Sequence, residues 1–205
     1  AAKTINDWVE TKTNDKIRDL VPASALRGPI RLVLTNAVYF QSHWMHTFSE
    51  HRTKDEPFHL SGDQSVEVPM MHQQHRFGYA ETDNVKLLEM PYLGNALSMV
   101  VALPMQRGGL AAVERTLSAE RFASWRKALQ RTEKVQVALP KWEFSDECSL
   151  SEMLAEMGMP SAFRSGEADF SGMTDAERLY ISSILHKAYI AVDEEGTEAA
   201  AATAV

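Results

Sequence analysis

Residues 191–205 read AVDEEGTEAAAATAV. Three readings compete for this stretch. By local propensity Thr197–Ala202 is helical, because Thr197 can cap and glutamate and alanine are good helix formers. By position it is a frayed tail. By what precedes it, it is a strand that has not yet joined its sheet: LYISSILHKAYIAV, residues 179–192, is a long apolar and β-branched run that reads as a strand leading straight into it.

Composition narrows the class. The chain has 205 residues, 44% apolar and 24% charged, which is an ordinary soluble globular composition. Its net charge of -7 argues against a general nucleic-acid binder, since phosphate binding needs a basic surface. No apolar run is long enough to cross a bilayer, so no membrane partner is expected. The single cysteine, Cys148, rules out a disulfide within the chain. The opening AAKTINDWVE reads as the start of a helix inside a larger protein and does not look like a leader peptide, so targeting information is to be sought upstream of Ala1.

Working back from the C-terminal stretch, the elements alternate in type. Residues 3–20 read as an amphipathic helix, with Ile5, Trp8, Val9, Ile17 and Leu20 at helical spacing, a break near Thr13-Asn14 and a capping-box-like Thr4/Asp7 pair at the start. RLVLTNAVYF (Arg31–Phe40) is apolar on both alternating faces and reads as a central strand, so a buried Asn36 in it requires a polar partner. FHL, VEVPMM and HRFGYAE are strand-like. VKLLEMPYLGNALSMVVALP reads as two strands around a tight Gly94-Asn95 turn. Two short helices follow, marked by Leu110, Val113 and Leu117 and then by Phe122, Trp125 and Leu129. KVQVALPKWEF is a strand bent at Pro140. SLSEMLAEMG is a helix with Ser149 and Glu152 as a capping box and Gly158 as its stop. The class is α+β, with strands in at least two sheets and helices outside.

INDWVETKTNDKIRDLV, LTNAVYFQSHWMHTF, FHL…VEVPMM, MPYLGNALSMVVALP, ALPKWEF, ADFSGM and ILHKAYIAVDEEGTEAAAATAV, in that order, resemble the serpins, a family of serine protease inhibitors. The resemblance covers nearly the whole chain. It implies a mostly antiparallel main sheet, further sheets and outer helices, with residues 1–205 an incomplete part of one serpin domain. Helices before Ala1 and strands after Val205 are expected to complete it. It implies an extracellular protein, partnered by a target protease of serine or cysteine type, with no cofactor.

On that resemblance residues 194–205 form the reactive-loop hinge: Glu194, Glu195, Gly196, Thr197, Glu198, Ala199, Ala200, Ala201, Ala202, Thr203, Ala204 and Val205. Such a hinge enters the main sheet as a new strand after the loop is cut. Alternation puts Thr197, Ala199, Ala201, Thr203 and Val205 on one face and Glu198, Ala200, Ala202 and Ala204 on the other. The Glu198 face is expected to look outward to solvent or to lie under a surface helix. Gly196 is expected to let the backbone swing. The resemblance further implies that Glu194 pairs with Lys141 at the top of the sheet, near Trp44. It makes Asn36 and His186 partners where the sheet parts.

Other residues invite other chemistry. His43 and His46 (HWMH) and His72 and His75 (HQQH) have metal-like spacing, but on strands residues three apart face opposite ways, so no metal site is expected. Cys148 has no histidine near it in sequence and reads as incidental or buried, and the tryptophans and Met70-Met71 read as core. The implied function is suicide inhibition, with no catalytic residues supplied by this chain. A non-inhibitory serpin acting as chaperone, carrier or storage protein is the alternative, against which the small residues Ala199–Ala202 argue.

Overall fold

The computed structural model describes all residues except 27–29, 31, 32, 34, 61–63, 83 and 205, and only the backbone at 204. The elements run α1 (Ala2–Lys12), β1 (Thr35–His43), β2 (Lys54–His59), β3 (Ser65–Glu81), β4 (Val85–Pro91), β5 (Ser98–Pro104), α2 (Leu110–Arg115), α3 (Ala119–Ala128), β6 (Gln130–Pro140), β7 (Trp142–Ser149), α4 (Ser151–Glu156), β8 (Leu185–Val192) and β9 (Gly196–Ala204). The class is α+β, as the sequence pattern suggested. The chain forms two compact units, one of Ala1–Phe40, Glu143–Ala191 and Glu198–Val205, the other of Gln41–Trp142 and Val192–Thr197.

A four-stranded sheet has the order β1-β9-β8-β7. The C-terminal stretch is therefore a strand, and it lies between two others. β9 reverses on β8 through the short turn 193–195. In the first unit, buried Val9, Ile17, Leu20 and Val21 from α1 and its return segment form one core with Tyr189, Ala200 and Ala202. The helix anticipated over 3–20 stops at Lys12, and residues 13–20 are turn and irregular backbone: Thr13 is buried with its hydroxyl on the Val9 carbonyl (2.8 Å), and Asn14 and Asp15 take left-handed φ of 49° and 59°. Buried Asn6 ties the return segment back by bonding both the N–H (2.9 Å) and the carbonyl (3.0 Å) of Val21.

Several sequence expectations change. Thr4 does not cap α1; Ala1 holds that place without a side-chain bond, and Asp7 pairs with Lys3 at 2.6 Å instead. Trp8 is 45% exposed, because the helix turns Val9 and Asn6 inward. The strand anticipated over 31–40 is observed from Thr35 to His43, residues 31, 32 and 34 lying outside the described residues. β8 starts at Leu185, not 179: the N–H of Ile184 goes to the Ser151 hydroxyl (2.9 Å) and its carbonyl to the N–H of Leu150 (2.9 Å). That use of Ser151 accompanies the absence of the anticipated capping box, and α4 starts from Leu150 with no side-chain cap.

In the second unit, β3 pairs β2 and then β4 along one edge and β6 along the other. It is one strand of 17 residues where the sequence suggested two pieces. Lys134, at φ 57°, sits where the β3–β6 register shifts between His75 and Phe77, as an extra residue on β6 requires. The β4–β5 hairpin turns at Gly94 and Asn95, both left-handed at φ 89° and 57°, in a loop wider than a two-residue turn: the Asn95 N–H donates to the Tyr92 carbonyl (3.0 Å) and the Tyr92 N–H to that of Leu97 (3.0 Å). Val85, Leu87, Val113 and Trp125 pack α2 and α3 onto it. β6 ends at Pro140, and the next strand, β7, belongs to the other sheet.

Candidate functional site

The turn 193–195 is built by its own first side chain. The Asp193 carboxylate accepts from the N–H groups of Glu195 (2.9 Å) and Gly196 (3.0 Å), an Asx-type turn. The segment after β1 then takes up the turn's carbonyls. The Trp44 indole N–H donates to the Asp193 carbonyl (3.0 Å), the Phe48 N–H to that of Glu194 (2.9 Å) and the Trp44 N–H to that of Glu195 (2.8 Å). Trp44 is buried and stacks on Tyr92 at 4.7 Å between ring centres. The Tyr92 hydroxyl donates to that of Thr197 (2.9 Å), which is also buried. The base of β9 is thus held by backbone and side chain together.

Glu194 is the charged member of this group. It is 7% exposed, with one carboxylate oxygen on the Lys141 ammonium (2.7 Å) and the other accepting from the Thr53 hydroxyl (2.7 Å). Lys141 is placed by the bend after Pro140, its own N–H donating to the Pro69 carbonyl (2.8 Å). Burial pushes the Glu194 carboxyl up, but the bonds from Lys141 and Thr53 outweigh it and hold it below the ordinary 4.5. A depressed carboxyl pKa contributes stability above about 4.5 that is lost as pH falls through the lowered value, so this anchor weakens in acid.

The two partners are unequal, and this has a measurable consequence. The Lys141 side chain is 46% exposed and the Glu194 side chain 9%. Lys141→Met strands a buried carboxylate, whereas Glu194→Gln frees an ammonium that water can solvate and leaves an amide able to bond Thr53. Lys141→Met is expected to cost about 2–3 kcal/mol and Glu194→Gln about 1. Melting of the whole protein checks the order, and a reversed order would mean that Glu194 is not buried.

Along β9 the alternation read from the sequence is observed. Ala200 and Ala202 are buried beneath α1 and its return segment, so the Glu198 face is the one under the surface helix. Thr197 is buried, and Ala199, Ala201 and Thr203 are half-buried on the opposite face. Glu198 itself is half-buried and accepts from the Tyr39 hydroxyl (2.5 Å) and the Lys16 ammonium (2.9 Å). Val205 lies outside the described residues. Thr53, Tyr92, Asp193, Lys16 and Tyr39 were not singled out by sequence reasoning; each sits far from β9 in sequence or, for Asp193, reads as a generic turn residue.

The Asn36–His186 pairing is not observed. β9 lies between their strands, so two strand spacings separate them, about 9.5 Å and beyond hydrogen-bond reach. Asn36 is exposed rather than buried, and the His186 imidazole instead bonds the Thr203 hydroxyl of β9 (2.8 Å). Gly196 also makes a close approach. Its φ is not left-handed, and a Cβ there would meet the Ser42 carbonyl oxygen at 2.2 Å.

The histidines recombine across motifs. His46 of the first stacks on His75 of the second at 3.6 Å, and His72 bonds Glu56 (2.9 Å). Among the described residues no three His, Cys, Asp or Glu side chains gather as a metal would need. Cys148 is exposed on β7.

Comparison with known proteins gives a consistent picture. Residues 1–205 match the family model described as serpin (serine protease inhibitor). A serpin-like protein of Methanosarcina acetivorans is 44% identical over 98% of this chain and 46% of its own length. A leukocyte elastase inhibitor of Xenopus tropicalis is 40% identical over all of this chain and 55% of its own length. The solved structure of a cleaved serpin 42Da superposes with a TM-score of 0.93 at 43% identity, covering 99% of this chain and 55% of that one. The chain spans about half the length of the curated relatives it matches.

Proposed function

The chain belongs to the serpin family, and from that premise we propose that the complete protein is a suicide inhibitor of serine proteases. A protease attacks the reactive loop that follows the hinge and becomes acylated by it. The hinge then enters the sheet between β1 and β8, carrying the tethered protease away before the acyl bond is hydrolysed. The chemistry is the protease's; this chain supplies the strand and its slot. The active form, with the hinge out, is a kinetic trap whose release is driven by strand pairing and burial.

The observation that carries the reading is β9: a strand of small side chains, seated between β1 and β8 with Ala200 and Ala202 in the core. Bulky or charged residues at those places would obstruct entry. A relative named as an elastase inhibitor supports serine proteases as the target class. On this reading the Trp44, Lys141 and Glu194 group is the point where entry begins.

The test takes the complete protein and a panel of serine proteases. A covalent adduct that survives denaturing electrophoresis is expected, with a large rise in melting temperature after loop cleavage. Clean cutting without adduct or stabilisation would favour a carrier, chaperone or storage role instead.

A further inference from the structure

The run Ala199–Ala202 gives β9 a difficulty of its own. Four identical methyl side chains do not distinguish one register from another two residues away, because a slip of two keeps every residue on its face. Among the side chains of residues 198–202, only Glu198 differs.

A polar chain crosses the sheet at Glu198. Tyr39 on β1 donates its hydroxyl to one oxygen of the Glu198 carboxylate, and Lys16 from the segment after α1 holds the other at 2.9 Å. The Lys16 ammonium also lies 3.4 Å from the hydroxyl of Tyr189 on β8 and 5.1 Å from the centre of its ring. The Tyr189 hydroxyl donates to Glu143 on β7 (3.0 Å). One continuous path of hydrogen bonds therefore visits β1, β9, β8 and β7, and the β9 strand contributes a single group to it.

We propose that Lys16, Tyr39 and Tyr189 form a carboxylate site that reads Glu198 and so, together with the close approach at Gly196, sets the register of the hinge within the sheet. The site rests on the inhibitory reading given above, for it acts only on a strand that enters. With β9 in place both carboxylate oxygens are bonded. After a slip of two in one direction Ala200 stands there, and in the other Gly196. Either leaves the Lys16 ammonium and the Tyr39 hydroxyl facing a residue without a polar side chain, in a half-buried place where unpaired groups are costly. Glu198 is the third residue of β9, so the check comes early, before the alanines have passed. Lys16, Tyr39 and Tyr189 are positioning residues that touch no protease.

Glu198→Gln, Lys16→Met and Tyr39→Phe in the complete protein test this. Each is expected to lower the melting temperature of the loop-cleaved form by about 3 °C or more. Each should also raise the number of inhibitor molecules consumed per protease trapped. Glu198→Gln combined with Lys16→Met should be no worse than the worse single variant, and Lys16→Arg should restore both readouts. Hydrogen exchange across residues 197–203 should show one protected register in the wild type and mixed protection in Glu198→Gln. If the wild type traps protease while Glu198→Gln matches it in stoichiometry, melting and exchange, the register site is overturned and inhibition stands. If the wild type traps nothing, inhibition fails, and comparing cleaved wild type with cleaved Glu198→Gln by melting and exchange still decides the site. Strictly additive losses for the two partners would likewise overturn it.

Discussion

Ala202→Arg in the complete protein is expected to abolish covalent trapping of a protease while leaving the loop cleavable. Ala202 is fully buried, within one core with Val9, Ile17, Leu20 and Val21. Apart from the hydroxyls of Tyr189 and Tyr39, the described members of that core offer only hydrocarbon. A guanidinium carried into it has no counter-charge there and loses its water, a cost of several kcal/mol for an unpaired buried ion. Four such kcal/mol is about a thousandfold in the inserted population. The strand would then stop short, the acyl-enzyme would have time to hydrolyse, and the protein would behave as a substrate. Ala202→Val supplies the graded control, because overpacking by two methyl groups costs about 1–3 kcal/mol and should slow trapping without ending it. Denaturing electrophoresis measures the adduct, and melting before and after cleavage measures the strand. An Ala202→Arg protein that traps as well as the wild type would show that trapping does not depend on this core position.

How much of this was legible beforehand follows from where each signal lies. The Gly94-Asn95 hairpin, the end of α1 at Thr13-Asn14 and the two-faced pattern of Glu198, Ala200 and Ala202 are local signals, and the structure agrees with them. β3 was less legible, because VEVPMM and HRFGYAE show as two strand-like stretches on either side of the polar run His72–His75 until β6 is seen pairing along all of it. The start of β8 misled for the opposite reason. Residues 179–184 are apolar enough for a strand, but the backbone of Ile184 is taken by Ser151 and Leu150. The anchor was half visible. Glu194, Lys141 and Trp44 could be named from the family resemblance, yet Thr53 and Tyr92 complete the group from elements whose proximity no local pattern announces. Asn36 and His186 could be expected to meet only if nothing stood between β1 and β8. What stands there is the very stretch whose conformation was open from the start.

Gly196→Ala separates two accounts of the hinge, and the close-approach account is expected to prevail. If glycine serves only to let the chain swing, alanine should change how fast the strand enters and leave the cleaved, inserted form as stable as before. The geometry argues otherwise. A Cβ on Gly196 would lie 2.2 Å from the Ser42 carbonyl oxygen and 2.9 Å from the His43 Cα, both backbone atoms of β1 that cannot rotate away. Relief requires β9 to lift from β1 at its first residue. That strains the neighbouring bond from the Trp44 N–H to the Glu195 carbonyl and the Asx turn that Asp193 makes with the Gly196 N–H. One lost backbone bond with its unpaired groups, together with the residual strain, amounts to about 2–4 kcal/mol. The cleaved form of Gly196→Ala should therefore melt roughly 5 °C or more below cleaved wild type. Glu195→Ala, exposed and one residue away, is the control and should leave melting unchanged within a degree or so. Cleaved Gly196→Ala that melts with the wild type, and differs only in its rate of trapping, would return glycine to the role of a swivel.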